Sequence, residues 1–115
     1  MSDNVELEIL KNDTVSINED VLVRIYTSEK NWKIVKAYFD CNISFDQEKV
    51  DESKESIEGC QKELFVLNDT ILIQFNPTKT GLNNFGEIKA LVKNTENEFK
   101  ILKSDFSYFV SKKID

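Results

Sequence analysis

Hydrophobic and polar residues alternate one by one along much of this chain. Val21, Val23 and Ile25 share one face of an extended segment, while Arg24 lies on the other face. Alternation with a period of two, in segments rich in Val, Ile, Phe, Tyr and Thr, predicts β-strands with one buried face. No stretch of helical length shows an apolar period of 3.6 residues. The pattern therefore predicts an all-β protein.

At least seven strands are predicted, separated mainly by turns rich in Asn and Asp. The longest alternation runs from Val35 to Phe45 and predicts a central strand with a bend or a bulge. The predicted inward-facing sets are Val5, Leu7 and Ile9; Val15 and Ile17; Val21, Val23 and Ile25; Val35, Ala37, Phe39, Cys41, Ile43 and Phe45; a strand from Glu63 to Leu67; Ile71, Ile73 and Phe75; Ile88, Ala90 and Val92, in a strand around Gly86 to Val92; and Phe99, Ile101, Phe106, Tyr108 and Val110.

Seven or eight short strands without helices, in a chain of 115 residues, predict a two-sheet antiparallel β-sandwich. An immunoglobulin-like Greek key is the leading topology. A jelly roll or a small barrel is the alternative, because alternation alone does not fix the strand order. Since no repeat, linker or low-complexity tract divides the chain, we expect a single domain over residues 1–115.

The alternation stops between Asp46 and Ser56, in a strongly acidic segment. Seven acidic residues and three lysines lie between Asp46 and Glu63, which is −4 of the formal net charge of −6. We expect an exposed loop or a single helical turn there, because a run of like charges usually forms a solvated surface.

The composition removes several classes of function. The chain contains no His and one Arg, Arg24. Without His, neither a Ser-His-Asp nor a Cys-His nucleophile can form, and zinc sites built on imidazole are excluded. We therefore expect no enzymatic activity, no cofactor and no metal. A net charge of −6 with a single Arg argues against nucleic acid as a partner.

Localisation is predicted only conditionally. Purely apolar runs such as Phe65-Val66-Leu67 are far shorter than the roughly 20 residues that span a bilayer, so no membrane span is expected. The N-terminus has neither a basic start nor an apolar run, and no signal peptide is predicted. The expected location is the periplasm or the cell surface if an export signal has been removed, and otherwise the cytoplasm.

Cys41 and Cys60 are the only two cysteines. A disulfide between them would stabilise the fold by roughly 3 kcal/mol and would indicate an oxidising compartment. Cys41 lies on the predicted inward face of its strand, so a buried free thiol is the other interpretation. The sequence does not decide between a disulfide and free thiols.

One loop is a candidate interaction site, formed by Asn76, Pro77, Thr78, Lys79, Thr80 and Gly81. In its plain interpretation it is a turn, in which Pro presets φ and Gly supplies a positive φ. It also resembles the Asn-Pro-Thr-Thr-Gly loop of the chagasin-type cysteine-protease inhibitors, which implies an inhibitor as a third possible function. In that family the loop lies in the first half of the chain, whereas here it follows the fifth or sixth predicted strand.

Aromatic residues suggest a different alternative, a carbohydrate-binding module. Trp32 together with Tyr26, Tyr38 or Tyr108 would form a platform for a sugar ring if the rings were exposed and coplanar. Core packing is the other interpretation of a single Trp in a sandwich. Burial of Trp32 would exclude the platform.

The segment from residue 75 to residue 110 carries a second resemblance. Phe75-Asn76-Pro77 through Gly81, Phe85-Gly86-Glu87-Ile88, a polar hairpin to Glu98, and Phe106-Ser107-Tyr108-Phe109-Val110 resemble the periplasmic β-sandwich domains of gliding-motility and type IX secretion shaft proteins. The resemblance implies a non-catalytic protein–protein interaction or structural module of the cell envelope. Its partner would be another protein, and no small-molecule ligand is expected. The candidate surfaces are Asp46–Glu58, Asn76–Asn84 and the final strand.

Overall fold

A computed structural model describes residues 5–12, 14–39, 50–60 and 62–112. This part of the chain forms strands and no helix. The strands are β1 (Leu7–Leu10), β2 (Thr14–Ser16), β3 (Val21–Thr27), β4 (Trp32–Phe39), β5 (Val50–Asp51), β6 (Ser56–Ile57), β7 (Glu63–Leu67), β8 (Thr70–Phe75), β9 (Gly81–Asn84), β10 (Ile88–Asn94), β11 (Phe99–Ser104) and β12 (Ser107–Ser111). Over the same residues, no helix is long and apolar enough to cross a membrane.

Seven strands form one sheet in the order β1-β3-β8-β7-β4-β10-β11, and all neighbours in it are antiparallel. β7 joins the two halves of this sheet, because Phe65 to Leu67 pair with β8 while Glu63 and Leu64 pair with β4. The sheet folds at β7, so that β1, β3 and β8 pack against β4 and β10 around one hydrophobic core. This arrangement is an immunoglobulin-like antiparallel β-sandwich, as the sequence predicts.

The sheet is extended by a long bent hairpin. β10 pairs with β11 and β9 pairs with β12, and between the two pairings the Phe85 N–H donates to the Phe106 carbonyl at 2.9 Å. β2 adds to β12 in parallel, with Val15 opposite Val110. β9 and β10 therefore form one arm of this hairpin, and β11 and β12 form the other, each arm being interrupted once.

The core consists of apolar side chains from both halves of the sandwich. Val23, Ile25 and Ile71 come from β3 and β8, and Ile88 and Ala90 come from β10; all five are fully buried. The inward-facing sets predicted for β3, β8 and β10 are thereby confirmed. Because these sets occupy alternate positions, each strand presents one complete row of side chains to the core.

β4 contains the irregularity that the sequence suggested. The pairing with β10 shifts between Leu91, which is opposite Lys36, and Val92, which is opposite Ile34. Val35 is the extra residue of this β-bulge, and it packs with the cluster on the outer face of the sheet. The prediction that Val35 shares a face with Ala37 is therefore wrong. The predicted inward positions Cys41, Ile43 and Phe45 lie outside the described residues.

A second hydrophobic cluster covers the outer face of β4, β10 and β11. β5 and β6 form a small hairpin whose Ile57 is 2% exposed and packs with Tyr38, Leu91 and Ile101. The expectation of an exposed loop or a helical turn is therefore wrong for Val50–Asp51 and Ser56–Ile57, which form strands, whereas residues 52–55 form a turn. Val50 and Ile57 are paired across the hairpin, so both contribute apolar surface to this cluster while Glu52 and Glu58 stay exposed.

The strand predicted around Gly86 to Val92 begins later than expected, at Ile88, and a separate strand, β9, precedes it. β9 was not predicted because its residues show no inward apolar set. Its only large apolar side chain, Leu82, is 78% exposed. Gly81, the last residue of the candidate loop, is the first residue of β9.

Candidate functional site

The outer face of β1, β3, β8 and β7 is unusually apolar for a surface. Five large hydrophobic side chains on it are between 42% and 62% exposed. We call this surface the apolar sheet face and define it by Leu10, Leu22, Arg24, Tyr26, Phe65, Leu67 and the partly buried Leu72. The polar residues Glu8, Thr70 and Gln74 lie on the same face, opposite Tyr26, Leu67 and Leu22.

The strand register makes this surface continuous. Leu10 is opposite Arg24, Arg24 is opposite Leu72, and Leu72 is opposite Phe65, so one row of side chains crosses all four strands. Residues directly opposite in antiparallel strands have their Cβ atoms about 4.5–5.5 Å apart, which brings these side chains into contact range. The exposed hydrophobic residues are thus one patch rather than scattered positions.

Arg24 lies within that row, between Leu10 and Leu72. It is exposed, and it has no ion-pair partner within the part of the chain that the structure describes. β3 positions it, because Val23 and Ile25 on either side face the core. The five donors of the guanidinium are therefore available to a ligand on this face.

A second concave surface lies at one end of the sandwich, where the β3–β4, β7–β8 and β10–β11 turns meet. We call it the loop-end cleft; its volume is about 520 Å³, and Asn31, Lys33, Glu55, Asp69, Lys93 and Asn97 contribute to its walls. Lys93 Nζ lies 3.3 Å from Glu55 Oε1 and 5.4 Å from the centre of the Phe99 ring. The cleft carries charges of both signs.

Asn94 shapes the β10–β11 turn beside this cleft. Its Oδ1 accepts the backbone N–H groups of Glu96 and Glu98, both at 2.9 Å, and its Nδ2 donates to Glu98 Oε1 at 2.7 Å. The sequence predicts a turn at residues 94–97, but it gives no sign that one buried amide organises it.

The candidate loop lies at the opposite end, and its first residues are anchored. Pro77 is buried and its carbonyl accepts the Asn18 N–H at 3.0 Å, while Asn76 Nδ2 donates to Asp20 Oδ1 at 3.2 Å. The three residues at its tip are exposed, namely Thr78, Lys79 and Thr80. Interaction through this loop, and its likeness to a protease-inhibitor loop, stay predictions.

Trp32 does not form a sugar-binding platform. Its side chain is 2% exposed within the core, and Tyr38 is 4% exposed. Lys100 Nζ covers the Trp32 ring at 5.2 Å from the ring centre. The carbohydrate platform predicted around Trp32 is therefore wrong, because the first residue of β4 faces inward together with Ile34.

Cys60 is disulfide-bonded and packs against the cluster beneath the β5–β6 hairpin. The only other cysteine of the sequence, Cys41, lies outside the described residues. The pairing of Cys41 with Cys60 stays a prediction.

Two carboxyl groups have shifted pKa values, and both shifts are downward. The hydrogen bond from Ser53 Oγ, 2.6 Å from Asp51 Oδ1, lowers the pKa of Asp51. The ion pair with Lys89, whose ammonium is buried, lowers the pKa of Glu87. Both groups stay charged at neutral pH. In the described ranges no three His, Cys, Asp or Glu side chains are grouped to hold a metal ion.

No family model matches this chain, and no curated protein does. Among solved structures it is similar to the PKD domain of an M14-like peptidase from Thermoplasmatales archaeon SCGC AB-540-F20, with 12% identity, a TM-score of 0.46, and coverage of 93% of this chain and 94% of that one. The assignment to the immunoglobulin-like β-sandwich class rests on the sheets described above. The resemblance to gliding-motility shaft proteins stays a prediction.

Proposed function

We propose that this chain is a non-catalytic protein-interaction module of the cell envelope and that it binds another protein through the apolar sheet face. The observation that carries the proposal is the row Leu10, Arg24, Leu72 and Phe65, which crosses four strands on a solvent-exposed surface. Contiguous exposed apolar surface of this kind marks interaction sites, whereas single exposed hydrophobic residues need no explanation.

The composition of the face supports a protein as the partner. Aromatic residues and Arg are enriched in the buried centres of protein interfaces. Here Phe65 belongs to the same row as Arg24, and Tyr26 lies two residues from Arg24 on the same face of β3. A β-sheet face also has a rigid backbone. Binding therefore restricts the side chains of the face but little of its backbone, which lowers the entropic cost. A partner surface of similar width would bury the apolar side chains together.

Arg24 specifies the chemistry that the partner must present. A complex that covers this face without a counter-charge would bury an unpaired guanidinium, which is strongly unfavourable. A carboxylate surrounded by apolar side chains would instead accept a bidentate pair of hydrogen bonds from Arg24. We therefore expect the partner to present an Asp or a Glu within a hydrophobic patch.

A binding role, rather than catalysis, fits the chemistry of the side chains. A general acid at neutral pH needs a carboxyl group with a raised pKa, and the pKa values of Asp51 and Glu87 are lowered. The sequence contains no His to take the role instead.

The proposed location is the periplasm or the cell surface, supported by the disulfide bond of Cys60, because disulfides persist in oxidising compartments and are rare in the cytosol. We expect protein taken from its host cells, alkylated before lysis, to gain no thiol label until it is reduced. The measurement is intact mass with and without reductant. Two labelled cysteines without reduction would contradict this location.

The test of the binding role is a selection against a phage-displayed library of random twelve-residue peptides. We expect the enriched peptides to combine an Asp or a Glu with apolar residues. Isothermal titration calorimetry should then show a loss of at least tenfold in affinity for Arg24→Ala and for Phe65→Ser. Both positions are exposed, so the variants should keep the melting temperature of the native protein.

Lys79→Ala in the candidate loop is the matched control and should bind these peptides with unchanged affinity, because Lys79 lies at one end of the sandwich and away from this face. Peptides that bind Arg24→Ala and Phe65→Ser as tightly as the native protein would contradict the proposal. Peptides that lose affinity only for Lys79→Ala would support the candidate loop in its place.

A further inference from the structure

The two long edges of β4 differ in their pairing. β10 pairs with β4 along its whole length, from Trp32 to Phe39. On the other side, β7 pairs with β4 only at Ala37 and Tyr38. No strand of the described ranges therefore covers that side of β4 between residues 32 and 36.

The hydrogen bonds around Trp32 show which backbone groups face the open edge. Trp32 N–H donates to the Glu29 carbonyl at 3.2 Å, and the Trp32 carbonyl accepts Thr27 Oγ1 at 2.9 Å. The first bond goes to the β3–β4 connection and the second to the end of β3, and neither goes to β10. Backbone groups of successive residues in a strand alternate between its two edges. Ile34, two residues further on and before the bulge, thus directs its N–H and carbonyl to the open edge.

This open edge forms part of the wall of the loop-end cleft. Ile34 lines the cleft, although the whole residue is only 4% exposed and its side chain packs in the core. The part of the wall that Ile34 contributes is therefore small. A free N–H and a free carbonyl at the wall of a cleft are the groups that an added strand uses.

The charges of the cleft are incompletely balanced. Lys33 is directly opposite Lys93, and like charges in that relation are unfavourable. Glu55 pairs with Lys93, but among the described residues Lys33 and Asp69 have no ion-pair partner. An anionic side chain beside Lys33 would offset the repulsion that remains.

We propose that the loop-end cleft is a second binding site, which takes an extended peptide segment of a protein partner as an additional strand on the open edge of β4. The peptide backbone pairs with Ile34, and an acidic side chain of the peptide lies beside Lys33. This site is separate from the apolar sheet face and does not depend on it.

The same features limit which peptides can bind. A bulge and a lysine on a strand edge both discourage pairing with other strands. Here the bulge residue Val35 ends the regular part of the edge, and Lys33 disfavours a strand that has no acidic residue opposite it. Recognition is therefore expected to depend on one acidic side chain and on few backbone hydrogen bonds, which predicts weak and reversible binding.

The test uses an acetylated and amidated nine-residue peptide of alternating Val and Thr with a central Glu, added to the isotopically labelled protein and followed by NMR. We expect the amide signals of Lys33, Ile34 and Asp69 to shift and the Ile34 amide to exchange more slowly. The same peptide with N-methyl groups on alternate backbone nitrogens should bind at least tenfold more weakly, because it loses donors to β4.

A charge exchange tests the specificity. Lys33→Glu should weaken binding of the Glu peptide at least tenfold and should strengthen binding of a peptide with a central Lys. Lys79→Glu, an exposed position at the other end of the sandwich, is the control and should change neither. Both variants should keep the native melting temperature.

Three results would overturn this inference: no shift at millimolar peptide, equal binding of the N-methylated peptide, or shifts confined to Arg24, Phe65 and Leu72. The last result would leave the proposed function of the apolar sheet face intact. Loss of library-peptide binding to Arg24→Ala concerns the apolar sheet face alone, whereas Lys33→Glu concerns the cleft alone. The two proposals are therefore tested at different residues.

Discussion

Gly86 connects β9 to β10 at a point where a side chain does not fit. Its φ of +116° is in a region that L-residues rarely adopt, and a Cβ added there would lie 2.9 Å from Cε1 of Phe39. The Phe39 ring is itself packed 4.9 Å, centre to centre, from that of Phe85. The bend between the two strands of this long hairpin therefore depends on a glycine.

We expect Gly86→Ala to destabilise the protein more than Gly81→Ala. Gly81 has a φ of +102°, but no atom lies within 4 Å of its added Cβ, so that variant carries only backbone strain of about 1–3 kcal/mol. Gly86→Ala should lose a further ~1–3 kcal/mol from overpacking against Phe39. Urea unfolding of both variants measures the difference. Equal losses would mean that Phe39 moves aside without cost.

The ion pair of Glu87 with the buried Lys89 predicts a dependence of stability on pH. The pKa of Glu87 is lowered from 4.5 in the folded state by its hydrogen bond and charge interaction with Lys89. The stabilisation is therefore complete above that unfolded value and is lost as the pH falls through the lower folded value. We expect Glu87→Gln to be less stable than the native protein at pH 7, where Lys89 would lose its counter-charge.

The measurement for this pair is the free energy of unfolding of the native protein and of Glu87→Gln at several pH values. The difference between them should begin to shrink as the pH falls below about 4.5, where the carboxyl group of the unfolded protein becomes protonated, and should be lost as the pH falls through the lower pKa of the folded protein. Glu52→Gln, at an exposed turn position, is the control and should show no such trend. A difference that stays constant down to low pH would contradict the role given to the charge of Glu87.

Among the described strands, β10 is buried along most of its length on both faces. Ile88, Ala90 and Val92 face the sandwich core, while Lys89 and Leu91 are covered on the outer face. The β5–β6 hairpin supplies part of that cover through Ile57. The sequence predicts one buried face for β10. Its second face is buried as well, because the β5–β6 hairpin packs on it.

We expect Leu91→Ala to destabilise the protein by about 2–5 kcal/mol, because it would leave a cavity beneath the β5–β6 hairpin. Leu82→Ala is the matched control, since Leu82 is 78% exposed and its truncation should change stability by less than about 0.5 kcal/mol. Chemical unfolding of both variants tests the second cluster directly. A small effect of Leu91→Ala would mean that the outer face contributes little to stability.

The strands that alternate cleanly were predictable from the sequence, and those formed for other reasons were not. β3 and β8 follow the alternation because one face meets the core and the other meets solvent. The β5–β6 hairpin was missed because Val50 and Ile57 stand alone among acidic residues, and no local period marks them. β9 was missed because its pairing with β12 buries no row of its own side chains.

The candidate sites differ in the same way. Arg24 was recognised as the only Arg, but its neighbours in the row across four strands come from β1, β8 and β7. Sequence alternation gives the face of each strand and not the order of the strands, so this juxtaposition was not predictable. The loop-end cleft likewise joins turns that are distant in the sequence.

For the whole molecule, the surfaces divide into distinct regions. One outer face of the sandwich is covered by the β5–β6 hairpin, whereas the other, the apolar sheet face, stays exposed to solvent. The exposed face carries Arg24 without a partner in the described residues, while the net charge of the chain is −6. A partner that is acidic at one point and apolar around it matches this face.

Mapping by NMR of the peptide selected from the library, bound to the isotopically labelled protein, tests the proposed function most directly. The amide signals of β1, β3, β8 and β7 should shift, with the largest changes at Arg24, Leu72 and Phe65, and Arg24→Ala should abolish these changes at the same peptide concentration. Shifts confined to Thr78, Lys79 and Thr80, with no change at Arg24 or Phe65, would contradict the account.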